Sequence, residues 1–305
     1  MDFSILIDCR FDDLKLFEAS EYTAQKKILS LVNDYEDGKW RYSKFQDFIW
    51  DNIAETSLSQ RERESLGAKP SSMLRAAAKN LRLTDKDGDI GRGSELAEIV
   101  LYGIMKHHFS ALPVVPKIFY KQNSQDNAKG ADSVHIVLED DDFSIWFGEA
   151  KFYTSIEDAR LGSIITSVEN ALQTAKLKKE NSIIVNVCDI DGLCLDPELT
   201  RRIKDALSNR HSIDELKPKL NVPILLLHEC DITKAATVFS KEYQAKVVAF
   251  HRQRALAYFR KQIEQLSDKV FLYAEIKFHI ILFPVPQKCP IVDKFVSRVE
   301  FLRDE

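Results

Sequence analysis

The sequence predicts an α/β protein, a mixed central sheet flanked by helices, preceded by a mainly helical N-terminal region. Three observations carry this. Strand-like and helix-like segments alternate from residue 94 onward. The runs Ile183-Ile184-Val185 and Val222-Pro223-Ile224-Leu225-Leu226-Leu227 are apolar at successive positions, as in strands covered on both faces. Two strand-like runs also flank the acidic cluster Glu139–Asp142, which has no place in a core and therefore reads as a hairpin turn.

In chain order, residues 1–83 read as one region: a short strand over Phe3–Asp8, then helices over 19–34, 41–57 and 71–83. Ser71 and Ser72, after Pro70, supply start signals for the third helix. No chemistry gathers here. The aromatic residues Phe11, Phe17, Tyr22, Trp40, Tyr42, Phe45, Phe48 and Trp50 suit either a core or a partner-docking surface. A Gly/Asp-rich joint, Thr84–Gly93, sets the domain boundary, with a second unit over 84–305. That unit begins with a helix over 94–109 and strands over 116–122, 132–139 and 143–152. A helix over 156–178, opened by a Ser155-x-x-Asp158 capping box, leads to a strand over 182–188 and a helix over 197–208. A strand over 222–229, a long helix over 238–267, a strand over 273–283 and a helix over 290–302 complete the chain.

Composition narrows the functional classes. With 45% apolar residues and only 10 Gly and 9 Pro in 305, the chain is long enough for a sizeable core and has no signature of disorder. Apolar stretches such as Ile280–Phe283 fall far short of the roughly 18 residues that span a bilayer, and Asp2 and Asp8 stand where a signal peptide is basic and then apolar. A cytoplasmic protein is expected. Five cysteines (Cys9, Cys188, Cys194, Cys230, Cys289) without a C-x-x-C pair read as reduced, buried thiols rather than a disulfide framework or zinc knuckle. The formal net charge of −4 argues against nucleic-acid binding by overall charge alone. A local basic surface remains open on the helix over 238–267, where Lys241, Lys246, Arg252, Arg254, Arg260 and Lys261 face only Glu242 and Glu264; such a run suits a solvated helix face or a phosphate-tracking surface.

Some motifs carry no chemistry. Asp85-Lys-Asp-Gly-Asp89 fails as a calcium loop because Ile90 stands where a glycine and Leu96 where a glutamate is needed. His107-His108 and His228-Glu229-Cys230 lack the spacing partners of a zinc site. Neither a G-x-x-x-x-G-K-[ST] phosphate loop nor a G-x-S-x-G elbow occurs.

The informative segment is Lys129-Gly-Ala-Asp132 through Gly148-Glu-Ala-Lys-Phe-Tyr153. A turn centred between Asp140 and Asp141 sets Asp132 across from Glu149, with Cβ atoms about 5 Å apart. Glu149 and Lys151 are two apart on one strand and leave it on the same face, with Phe143, Ile145 and Phe147. Two carboxylates and a lysine on an apolar face need a shared reason, since isolated buried charges are costly. A hard divalent cation is one such reason, and a salt bridge at a strand end is the alternative. A further carboxylate comes from Glu95 or Glu98, neighbours on the helix over 94–109; each also suits a solvated helix-start acid.

A helix with a glutamate, then an Asp, then E-x-K on consecutive strands, then a helix, resembles the PD-(D/E)xK nuclease core, here as Glu98 or Glu95, Asp132, Glu149 and Lys151. Ala131 replaces the proline of the motif. This likeness covers about residues 90–190. More narrowly, Lys129-Gly-Ala-Asp132, Gly148-Glu-Ala-Lys-Phe-Tyr153 and the closing Phe278-His-Ile-Ile-Leu-Phe-Pro-Val-Pro286 resemble the HamA family, the nuclease subunits of Hachiman anti-phage systems. The resemblance implies a restriction-endonuclease-like fold and a metal-dependent DNA endonuclease, with Mg2+ (or Mn2+) held by Asp132, Glu149 and Glu98 and a catalytic role for Lys151. It also implies DNA as substrate and a separate superfamily 2 helicase, HamB, as partner. Gln173 and Lys176 fall where related nucleases place an auxiliary polar residue, and Arg252, Arg254, Arg260 and Lys261 are candidate DNA contacts. The alternatives are a catalytically silent DNA-binding or docking subunit, and a stand-alone restriction or repair endonuclease.

Overall fold

The computed structural model describes residues 3–14, 22–83, 93–121, 131–140, 142–186, 196–208 and 210–304. The first part of the chain forms β1 (Ser4–Arg10), β2 (Lys26–Val32), the short strands β3 (Tyr35–Glu36) and β4 (Lys39–Trp40), and helices α1 (Tyr42–Ser57), α2 (Gln60–Leu66) and α3 (Pro70–Asn80). Next come α4 (Ser94–His108), β5 (Leu112–Val115), α5 (Lys117–Lys121), β6 (Ser133–Glu139), β7 (Asp142–Tyr153), α6 (Asp158–Ala171) and α7 (Thr174–Asn186). The last part holds α8 (Pro197–Ala206), α9 (Ile213–Leu216), β8 (Leu220–Glu229), α10 (Asp231–Ala235), α11 (Lys241–Leu266), β9 (Lys277–Val285) and α12 (Lys288–Asp304).

Seven strands form one sheet in the order β1-β2-β9-β8-β7-β6-β5. The inner four, β2, β9, β8 and β7, are parallel; β1 on one flank and β6 on the other run antiparallel to them, and the edge strand β5, antiparallel to β6, runs with them again. This is the mixed central sheet that the alternation predicts. Buried parallel strands are apolar at successive positions, and every residue of β8 except Glu229 is buried.

Successive residues of β7 serve two cores. Ile145, Phe147 and Tyr153 pack with residues of α6 and α11 on one face of the sheet, while Trp146, Ala150 and Phe152 pack with residues of α1, α4 and α12 on the other. The N-terminal aromatics Phe11, Trp40, Phe45, Phe48 and Trp50 are core residues. No helix among the described residues is long and apolar enough to cross a membrane.

Several elements differ from the sequence expectation. Within 19–34, residues Lys26–Val32 are a strand, β2, rather than a helix. Lying between β1 and β9, this run is covered on both faces, so its apolar residues stand at consecutive positions and mask the two-residue period. The strand expected over 116–122 is replaced by β5 before it and α5 within it, with Pro116, which lacks a ladder donor, at the junction; residue 122 lies outside the described residues. The helix expected over 156–178 breaks at Leu172-Gln173, and α7 continues through Ile183-Ile184-Val185, which is therefore helical. Leu177, Glu180, Asn181 and Ile184 are the positions buried among its described side chains, a helical spacing that an apolar triplet alone conceals.

Smaller corrections concern caps and thiols. The Ser155-x-x-Asp158 capping box does not form: Ser155 Oγ accepts from Glu157 N–H (3.2 Å), and α6 starts only at Asp158. Pro70 itself is the first residue of α3. Cys230 is buried but Cys289 is exposed, because it lies on the first turn of α12. The joint 84–92, the Asp85–Asp89 run, Lys129-Gly130, Cys188 and Cys194 lie outside the described residues.

Candidate active site on the β6–β7 hairpin

The hairpin register is the one the acidic turn predicts, from Glu139↔Asp142 through Ser133↔Gly148. Asp140 takes a left-handed φ of 44° in the two-residue turn, a conformation that Asp tolerates better than most residues. Asp132 stands one residue beyond the ladder, where its N–H donates to Gly148 O (2.7 Å). That placement brings it opposite Glu149.

Three charged side chains meet there. Lys151 Nζ donates to Asp132 Oδ2 (3.2 Å) and Glu149 Oε2 (3.1 Å), and the Ala150 N–H also donates to Asp132 Oδ2 (3.0 Å). Side-chain exposure rises from 5% at Glu149 to 15% at Asp132 and 21% at Lys151, so the cluster opens to solvent on the lysine side. Burial acts to lower the Lys151 pKa, but the Asp132 and Glu149 carboxylates outweigh it and hold the ammonium well above its ordinary value. Lys151 is therefore cationic in this arrangement.

The two glutamates of α4 go to different places. Glu95 accepts backbone N–H bonds from Arg82 and Leu83 (both 2.8 Å) and so fastens the segment after α3. Glu98 is 7% exposed and lines a small chamber together with Asp132. α4 lies on the sheet face opposite Glu149, and it comes this close because Gly148 has no side chain. A Cβ there would stand 2.8 Å from Leu101 Cδ2 and pressed against Ser133 Oγ.

The other sequence candidates are scattered. Gln173, exposed at the break between α6 and α7, donates to Asn170 Oδ1 (3.2 Å), and Lys176 is half-buried on α7. On α11, Arg254 pairs with Asp158 Oδ1 (2.8 Å) and Lys261 donates to Asp158 O (3.3 Å), while Arg252 and Arg260 are exposed. Asp158, the first residue of α6, thus draws two of the four cations onto itself. Sequence reasoning passed over His135, which is buried in the Glu98–Asp132 chamber; its only signal was a histidine on an otherwise apolar strand. It also passed over Tyr258 of α11, fully buried, whose pKa is raised by burial and further by Tyr273 and Glu149.

Among the described residues, no three His, Cys, Asp or Glu side chains are gathered into a metal cage. Asp132 and Glu149 are the carboxylates that could hold a cation, with their oxygens already arranged around the Lys151 ammonium. A hard oxygen donor set of this size suits Mg2+, which keeps several waters and takes only one or two carboxylates. No curated protein matches the chain. A family model described as HamA matches residues 8–299.

Proposed function

Because the chain belongs to the HamA family, and so is a Hachiman anti-phage defence protein, we propose that it is a metal-dependent DNA endonuclease that hydrolyses phosphodiesters at Asp132, Glu149 and Lys151. The observation that carries this reading is the pairing of Lys151 Nζ with both carboxylates at 3.2 and 3.1 Å, on a hairpin that sets Asp132 opposite Glu149. The order of elements supports it as well. A helix with Glu98, then after β5 and α5 a strand led by Asp132, a strand with Glu149 and Lys151, and α6 come in the chain order of the PD-(D/E)xK motif.

Asp132 and Glu149 would hold Mg2+ or Mn2+, with Glu98 behind them across the chamber. The bound ion would supply Lewis acidity and lower the pKa of a coordinated water. Lys151, kept cationic by its neighbours, offsets the negative charge that builds on the phosphorus centre during in-line displacement. Ala150 N–H and Lys151 Nζ fix one Asp132 oxygen, which orients the carboxylate before substrate arrives. Exposed Arg252 and Arg260 on α11 are the candidate contacts to the DNA backbone.

A partner helicase of superfamily 2, HamB, fits a chain that has no phosphate loop of its own. A nuclease of loose sequence preference endangers its host, so the helicase restrains it until damaged or phage-altered DNA is met. The test is cleavage of linear and supercoiled DNA by this chain, with and without the helicase and ATP, in Mg2+ and in EDTA. Cutting that needs metal and is lost in Glu149→Ala and Lys151→Ala is the expected result. Equal behaviour of wild type and both variants under every condition overturns it and leaves a silent DNA-binding or docking subunit.

A further inference from the structure

The chamber lies between Glu98 and Tyr102 of α4, Lys117 of α5, and Asp132, Ser133 and His135. The His135 side chain is buried, with 1% exposure, and neither ring nitrogen has a hydrogen-bond partner among the described residues. Ser133 Oγ, two residues earlier on the same face of β6, has none either. The Tyr102 ring packs against the imidazole with centroids 5.2 Å apart, but its hydroxyl donates elsewhere, to Glu55 Oε2 (2.7 Å).

Burial lowers the His135 pKa to about 3, so the imidazole is neutral, with one N–H to donate and one lone pair to accept. An apolar residue would fill such a position without cost, whereas an imidazole and a hydroxyl left unmet are unfavourable. The chamber has room for about one water molecule, and the groups lining it supply the two to four polar partners that a buried water needs. Asp132 belongs both to this chamber and to the Lys151 cluster.

We propose that His135 and Ser133 hold an ordered water shared with Asp132 and Glu98, which makes His135 a positioning residue for the Asp132 carboxylate. The water links α4 to β6 across the sheet edge. Replacing the imidazole releases Asp132 from one side while leaving its bonds to Ala150 and Lys151 in place. The water site stands on the chamber alone; its effect on cation binding rests on the nuclease reading.

Two measurements on the full chain test it. In 15N-labelled histidine spectra, His135 is expected as a single neutral tautomer whose ring N–H shows a cross-peak to a long-lived water, lost in His135→Phe. Calorimetric Mn2+ binding is expected to weaken about tenfold in His135→Phe, in line with loss of an outer-shell partner, with the melting temperature held and with partial recovery in His135→Gln. Absence of the water cross-peak in the wild type overturns the water site. Retention of wild-type Mn2+ affinity by a folded His135→Phe overturns the positioning role. A wild type that shows the water but neither binds Mn2+ nor cuts DNA sinks the nuclease reading and the positioning role with it, and leaves the water site standing.

Discussion

At the residue scale, Lys151 occupies the place between two carboxylates that a divalent ion would share. Its ammonium offsets their charge, and the same contacts make it a competitor for any added cation. Lys151→Met is therefore expected to bind Mn2+ more tightly than wild type in calorimetry while losing DNA cleavage; weaker binding would show that the lysine organises the carboxylates and does not compete for them. Buried histidines weaken the fold in acid. His135, His228, His251 and His279 are buried, and burial is the main cause that lowers the pKa of each, to about 3 for His135 and about 4 for His228. The hydrogen bonds agree with neutral rings. His228 Nδ1–H donates to Glu229 O (3.0 Å), so its Nε2 accepts from His251 Nε2–H (3.2 Å), and His251 Nδ1 accepts from the Ser30 hydroxyl (2.7 Å). The unfolded chain takes up these protons near pH 6.5 and the folded chain does not. Stability is thus lost as pH falls below 6.5, by about 1.4 kcal/mol per pH unit for each buried histidine, until the folded values are reached. Urea denaturation between pH 7 and 5 reads this slope, which is expected to be shallower by about one histidine's share in His135→Phe.

At the element scale, α4 decides how the site is enclosed. It packs between α1 and the sheet at two glycines. A Cβ on Gly103 would lie 2.5 Å from Phe48 Cζ, and one on Gly148 would meet Leu101 and Ser133. Gly103→Ala is expected to destabilise by about 1–3 kcal/mol through overpacking, read as a lower melting temperature with the site chemistry kept. Gly148→Ala is expected to do more than this, because it pushes α4 and β6 away from β7 and so moves Glu98 and Asp132 relative to Glu149. Loss of cleavage in a Gly148→Ala protein that still melts cooperatively would separate the two effects; unchanged cleavage would mean that α4 contributes packing only. The β6–β7 hairpin needs no such support, since its acidic two-residue turn fixes the register by itself.

At the scale of the whole molecule, residues before 84 do not stand apart from the sheet. β2 pairs in parallel with β9, and Phe3 packs its ring 4.8 Å from Phe283 at the far end of the chain. A chain begun at residue 84 is expected to expose the apolar edge of β9 and to be recovered as aggregate; a monomeric, cooperatively melting fragment would contradict that. The sequence by itself determined the hairpin, its register and the meeting of Asp132, Glu149 and Lys151, because a two-residue turn and a two-residue side-chain period are local rules that need no distant partner. It also determined the central strands β8 and β9 and the helices α1, α4 and α11, whose patterns are long enough to be unambiguous. Only the tertiary structure decided that Lys26–Val32 is a strand and Ile183-Ile184-Val185 a helix, since a short run of successive apolar residues has no period to read. It alone separated Glu98 from Glu95 and set Glu98 and Tyr102 of α4 against Asp132 and His135, because these meetings join a helix to a strand, and contact across a fold leaves no spacing in the chain.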